Sequence, residues 1–295
     1  MRTVSAIKNI NSTLIVYGFN MVLQFIIRFV LLYYLSIEYL GLNGLFDNIL
    51  TVLSLTELGI GPAIIFSLYS PLANHDLETA KSIMRIFKKA YIYIGTLILF
   101  LGLCISPFVQ YLIKVPPNIA YLNIFFLLFV VDTGISYFYS YKKCLLIADQ
   151  KQYIANYYRG ITQLIGSLFQ IALVILTHSF WVYIILRICM TFSENFLIAR
   201  KADHLYSFLN EKNIQPLNKD IYQSIIRNIK ALILHKIGGV TVFGTSNIIL
   251  SKFVGLSAVA LYTNYYLIIN GIDKLSDQVF NALKASVGNL NESHD

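Results

Sequence analysis

Four charged side chains lie inside long apolar stretches of the sequence: Arg28, Glu57, Asp132 and Arg187. A charged group at the centre of a bilayer costs about 2.5–3.5 kcal/mol on insertion scales, so such residues face a bundle interior or a water-filled cavity. At about 1.5 Å per residue from the ends of their stretches, all four reach one layer roughly 16–22 Å deep. Two cations and two anions at one depth predict either internal ion pairs or a charged cavity.

The two interpretations give Arg28 different roles. As ion pairs, Arg28 joins Glu57 and Arg187 joins Asp132, and the four residues simply hold helices together. If the layer is instead a cavity, Arg28 binds an anionic head group. A guanidinium stays protonated and matches phosphate with two parallel hydrogen bonds.

A polar stripe on the first apolar stretch favours the cavity. Gln24 and Asn20 lie four and eight residues before Arg28 and therefore on the same helix face. In the last stretch, Asn264 provides either a hydrogen bond between helices or cavity lining. The predicted substrate-binding residues are Arg28, Gln24, Arg187 and Asn264. The predicted ion-coupling or ion-pairing residues are Glu57 and Asp132.

The second apolar stretch contains a candidate hinge at Gly59, Gly61 and Pro62. A proline inside a helix removes a backbone hydrogen bond and permits a kink. This bend is either a moving joint or a packed bend.

The composition identifies the class of protein that positions these residues. Of 295 residues, 57% are hydrophobic and 13% are charged, against about 45–50% and about 25% in soluble domains. The sequence therefore predicts an integral membrane protein. The net charge of +8 reflects membrane topology, and a nucleic-acid partner would require a soluble basic face that this sequence lacks.

Apolar stretches of about 20 residues, each long enough to cross a bilayer as a helix, recur along the chain. The fold class is accordingly all-α, a polytopic membrane protein with about eight transmembrane helices. The predicted spans are 14–35, 42–68, 90–113, 119–147, 153–176, 180–199, 232–254 and 256–272.

Lysines and arginines predict the orientation, because they concentrate in cytoplasmic loops. With both termini in the cytoplasm, only Lys114 and Lys252 lie outside. Residues 1–200 form a complete six-helix lobe, and residues 201–231 form a cytoplasmic linker with an amphipathic helix. Residues 232–295 supply the first two helices of an incomplete second lobe, a layout typical of transporters built from two halves.

Sequence motifs exclude several chemistries. The chain has no GxxxxGK[ST], HExxH or GxSxG motif, so we expect no ATPase, metalloprotease or serine hydrolase activity. Three scattered cysteines inside spans predict neither a disulfide nor a metal site. We expect no enzymatic activity, no catalytic residue, no cofactor and no metal.

Five stretches of the chain resemble one family of transporters. They read YLGLNGLF, ELGIGPA, SLYSPLA, LYTNYYLII and ASVGNL, at residues 39–46, 57–63, 67–73, 261–269 and 285–290. Together with Tyr91 at the entry to the third span, they are similar to bacterial polysaccharide-repeat flippases. These flippases form the polysaccharide transporter branch of the multidrug/oligosaccharidyl-lipid/polysaccharide exporter superfamily.

The resemblance implies a substrate, a location and partners. The substrate would be an undecaprenyl-diphosphate-linked oligosaccharide, moved from the inner to the outer leaflet of the bacterial cell membrane by alternating access. Capsule, exopolysaccharide or O-antigen synthesis would use it, with a polymerase and glycosyltransferases as partners besides the lipid bilayer. It also implies a cationic cavity, in which Arg28 is placed like a first-helix arginine of related flippases; Arg187 is the further candidate.

The resembled proteins have twelve to fourteen spans, so we expect this chain to be truncated at its C-terminus and not to transport alone. A second lobe on another chain would complete it. The alternatives are a cation-coupled multidrug exporter using Glu57 and Asp132, a membrane glycosyltransferase or polymerase, and a nonfunctional fragment.

Overall fold

The computed structural model describes residues 2–57, 59–115, 119–211, 215–243 and 245–273. This part of the chain is helical and contains no strand, which confirms the all-α prediction. The helices are α1 Arg2–Tyr34, α2 Ile37–Leu53, α3 Ile60–Ala73, α4 Leu77–Ile105, α5 Leu122–Ala148, α6 Gln152–Thr177, α7 Phe180–Leu205, α8 Lys219–Phe243, α9 Ser246–Phe253 and α10, over 256–273.

The long helices run alternately up and down. At one end of the bundle, Asn9 near the start of α1 hydrogen-bonds the α5–α6 turn at Gln150 O, 2.9 Å away. At the opposite end, Tyr34 stacks on His178 between α6 and α7, with ring centroids 5.4 Å apart. Short reversals allow this alternation, because neighbouring helices then pack antiparallel.

The predicted second span is broken in two. A short 3₁₀ turn, Ser54–Glu57, follows α2, and Gly59 then adopts a left-handed conformation with φ of 76°. The helices on either side of this break are bent by 44° relative to each other. Glycine tolerates this backbone conformation because it has no Cβ.

Two apolar cores hold the bundle together, one towards each end. The core nearer the 34–37 turn packs α2 against α5 and α7, and its fully buried residues include Leu42, Leu45, Phe46, Phe126 and Ile184. The other core packs α3, α4 and α5, with Ile64, Leu68, Ile83, Leu145 and Leu146 buried. Side chains outside these cores are largely apolar and exposed, as expected of lipid-facing surfaces.

The region after α7 differs from the sequence prediction. The amphipathic linker helix and the first part of the predicted seventh span form one helix, α8, and α9 is a separate short helix. In α10, Leu256 and Thr263 pack against Gly41 and Gly44 of α2, where the absence of a Cβ permits close approach.

Five helices are long and apolar enough to span a membrane, or six when the bent pair α2–α3 counts as one span, within the described residues. The membrane-protein class thus holds, and the predicted count of eight spans is not confirmed. The predicted motif at 285–290 lies outside the described residues, as does the C-terminal end of the chain.

Candidate functional site

Arg187 is the centre of a polar cluster between α2, α5 and α7. Its Nε donates to Asp132 Oδ2 at 2.8 Å, and its Nη2 donates to Asp47 Oδ1 at 2.9 Å. Its Nη1 donates to Asn43 Oδ1 at 3.0 Å, and the guanidinium lies 4.4 Å from the centroid of the Phe129 ring. Three nitrogens of one guanidinium therefore tie three helices together.

The structure contains the Arg187–Asp132 ion pair that the ion-pair interpretation predicts. A second carboxylate, that of Asp47, also contacts Arg187. Asp47 was missed by the sequence analysis because it lies only five residues into its apolar stretch. The spacing of Asn43 and Asp47, one helical turn apart on α2, was the available signal. Arg187 thus forms ion pairs with two carboxylates.

Arg28 has a different environment. Its Nη1 donates to Asn264 Oδ1 of α10 at 3.1 Å, so the structure brings together two residues predicted to line a cavity, 236 positions apart in the chain. An amide carries no net charge, so this hydrogen bond gives the Arg28 guanidinium no ionic partner.

Glu57 contacts two tyrosines on neighbouring helices. Its two carboxylate oxygens accept hydrogen bonds from Tyr91 Oη at 3.2 Å and Tyr137 Oη at 3.3 Å. The structure therefore gives Glu57 these contacts with α4 and α5, beside the α2–α3 break, and Arg28 a contact with Asn264.

The candidate hinge residues lie at this break. Pro62 occupies the first turn of α3, where its missing N–H removes no helical hydrogen bond. The bend follows from Gly59, and a Cβ on Gly61 would lie 3.0 Å from Tyr91 Oη and 3.1 Å from Glu57 Oε1. Gly61 therefore permits the Glu57–Tyr91 contact.

The central cavity has a volume of about 280 Å³ and lies between α1, α2, α5, α6 and α7. Its lining is mostly polar and includes three of the predicted binding residues. The lining consists of Gln24, Ile27, Arg28, Asn43, Asp47, Asp132, Gln163, Gln170, Tyr183, Arg187, Met190 and Thr191.

The central cavity is lined by two arginines and two aspartates, so its formal charges balance. Both aspartates, however, pair with the same arginine. Arg187 contacts both Asp47 and Asp132. Arg28 instead donates a hydrogen bond to the neutral amide of Asn264. Arg28 is therefore the lining cation best placed to attract an anionic ligand.

A smaller inner cavity of about 120 Å³ adjoins the central one. Gln24 lines both, so the polar stripe of α1 connects them. The inner cavity is lined by Tyr17, Asn20, Met21, Gln24, Arg159, Leu267, Asn270 and Gly271. From the sequence alone, Arg159 belongs with the bases that predict the cytoplasmic side, because it lies close to the start of its span.

No protein-family model, curated protein or solved structure matches this chain. In the described residues, no group of three or more His, Cys, Asp and Glu side chains could hold a metal ion. The arrangement offers hydrogen bonds and charge, which bind and orient a polar ligand between helices.

Proposed function

We propose that this chain is a flippase for undecaprenyl-diphosphate-linked oligosaccharides in the bacterial cell membrane, working by alternating access. The observation that carries the proposal is Arg28, a cation that lines a polar cavity and hydrogen-bonds the neutral amide of Asn264. A diphosphate supplies the anionic oxygens that such a guanidinium recognises with paired hydrogen bonds.

The lining of the central cavity supports a substrate that combines charge with many hydroxyl groups. Gln24, Gln163 and Gln170 present amides, which donate and accept hydrogen bonds. Sugar hydroxyls need both functions, whereas a purely apolar drug needs neither. We also propose that the chain crosses the membrane about eight times and that both termini lie in the cytoplasm.

The competing function is a cation-coupled multidrug exporter. That mechanism requires Glu57 or Asp132 to exchange a proton or sodium ion. Asp132 accepts a hydrogen bond from Arg187 Nε at 2.8 Å, which ties its carboxylate to α7. The pairing favours a structural role for Asp132.

Ligand selectivity of the full chain in phosphatidylcholine nanodiscs distinguishes the two functions. We expect farnesyl diphosphate, a short prenyl diphosphate, to bind more tightly than farnesol and than the lipophilic cation tetraphenylphosphonium. Arg28→Ala should weaken farnesyl diphosphate binding roughly tenfold or more, because a charge-assisted hydrogen bond is lost. Arg28→Lys should recover part of the affinity, since a point charge replaces a planar fork.

The matched control is Arg200→Ala, which removes an exposed arginine from α7 outside both cavities. It should leave binding unchanged. Preference for tetraphenylphosphonium, or equal affinity of the Arg28→Ala variant for farnesyl diphosphate, would contradict the proposed function.

A further inference from the structure

The inner cavity contains buried polar atoms that the protein itself does not satisfy. Asn20 is only 8% exposed, yet its side-chain Oδ1 has no hydrogen-bond partner within the described residues. The Nε of Arg159 is likewise buried without a partner there. Buried donors and acceptors left unpaired destabilise a protein, so such atoms mark a place for a ligand or ordered water.

The described lining of the cavity also carries a net positive charge. Among the described residues that line it, Arg159 and Tyr17 are the ionisable ones, and none is a carboxylate. The unpaired Nε belongs to the edge of the guanidinium that forms two parallel hydrogen bonds with a phosphate or carboxylate. Asn270 and Gln24 supply neighbouring amides.

We propose that Arg159 and Asn20 form an inner binding subsite that holds the phosphoryl groups of the substrate together with Arg28. This inference rests on the proposed function and deepens it. Asn20 and Arg28 are two helical turns apart on α1, about 12 Å at 1.5 Å per residue. The side chains of Arg159 and Arg28 line adjoining cavities that share Gln24, so one bound diphosphate contacts both guanidiniums.

Farnesyl diphosphate binding to the full chain in phosphatidylcholine nanodiscs tests the subsite with Arg159→Gln. We expect the affinity to fall roughly tenfold or more, because a charge-assisted contact is removed. Farnesol, which has no phosphate, should bind the variant and the wild type equally. The matched control is Arg200→Gln, which should behave like the wild type.

The outcomes separate this inference from the proposed function. If the wild type does not bind farnesyl diphosphate, the proposed function fails and the subsite fails with it. If Arg28→Ala weakens binding and Arg159→Gln leaves it unchanged, the proposed function stands and the inner subsite is wrong. A loss of farnesol binding equal to that of farnesyl diphosphate would also overturn the subsite.

A second variant covers the case in which Arg159→Gln does not fold. Arg159→Lys keeps the charge but cannot form two parallel hydrogen bonds. An intermediate affinity for farnesyl diphosphate, with farnesol binding unchanged, supports the subsite. Wild-type affinity for farnesyl diphosphate would contradict its dependence on the guanidinium.

Discussion

At the scale of single residues, the two buried arginines differ in what surrounds them. Arg187 contacts two carboxylates and an amide, whereas Arg28 donates a hydrogen bond to the amide of Asn264. Both lie in the same cavity, so depth alone does not distinguish them. Their partners give Arg187 a structural role, and we propose Arg28 as the ligand-binding residue.

This difference predicts unequal effects on stability. Arg187→Gln leaves the carboxylate of Asp132, whose side chain is 7% exposed, without its ionic partner. Breaking a buried ion pair in this way costs about 3–5 kcal/mol. Arg28→Gln removes one hydrogen bond to an amide and should cost about 1 kcal/mol.

Reversible unfolding of the two variants in detergent micelles measures both free energies. Arg200→Gln serves as the exposed control and should change the free energy of unfolding little. Equal destabilisation by Arg187→Gln and Arg28→Gln would show that both arginines are structural.

At the scale of helices, much of the architecture was predictable and the breaks were not. The first apolar stretches became α1 and α4 to α7, because long apolar periodicity specifies buried or lipid-facing helices directly. The seventh span was harder to predict, since an amphipathic helix and a span share the same 3.6-residue period. The linker helix and the start of the predicted seventh span therefore form one continuous helix, α8.

The partners of the site residues depend on which helices are neighbours. The sequence places Arg28, Glu57, Asp132 and Arg187 at one depth, and all of these except Glu57 line the central cavity. The ion-pair interpretation joins Arg28 to Glu57, because opposite charge and depth are all that a single sequence offers. In the structure, α10 lies beside α1, and Glu57 contacts α4. Close packing at glycines and aromatic side chains decides these contacts, and the spacing of residues in the sequence does not predict them.

The position of α10 against α2 gives a prediction at this scale. A Cβ on Gly41 would collide with the backbone oxygen of Leu256, and would lie 2.9 Å from the Leu256 Cβ. Gly41→Ala should therefore destabilise the fold by about 1–3 kcal/mol, the usual cost of overpacking.

The control is Gly18→Ala on α1, where a Cβ meets nothing within 4 Å. It should be neutral or stabilising by up to about 1 kcal/mol, because alanine loses less backbone entropy in a helix. Thermal unfolding in micelles compares the two. Equal melting temperatures would contradict the packing of α10 on α2.

At the scale of the whole molecule, charge and polarity run along one axis. The inner cavity with Arg159 and the central cavity with Arg28 meet at Gln24, within a bundle whose exterior is mainly apolar. The bases that predict the cytoplasmic side cluster at the end of the bundle nearer Arg159. A substrate entering from that side would therefore reach Arg159 first and Arg28 second.

Outward movement of lipid-linked oligosaccharide in the cells that encode this chain tests the central claim most directly. The chromosomal gene is replaced by the Arg28→Ala, Arg28→Lys or Arg200→Ala variant, so that every natural partner is present. An impermeant oxidant of sugars added to spheroplasts then measures the fraction of lipid-linked oligosaccharide in the outer leaflet. We expect Arg28→Ala to abolish exposure at wild-type protein levels, Arg28→Lys to retain part of it and Arg200→Ala to match the wild type. Wild-type exposure in the Arg28→Ala cells would contradict the account.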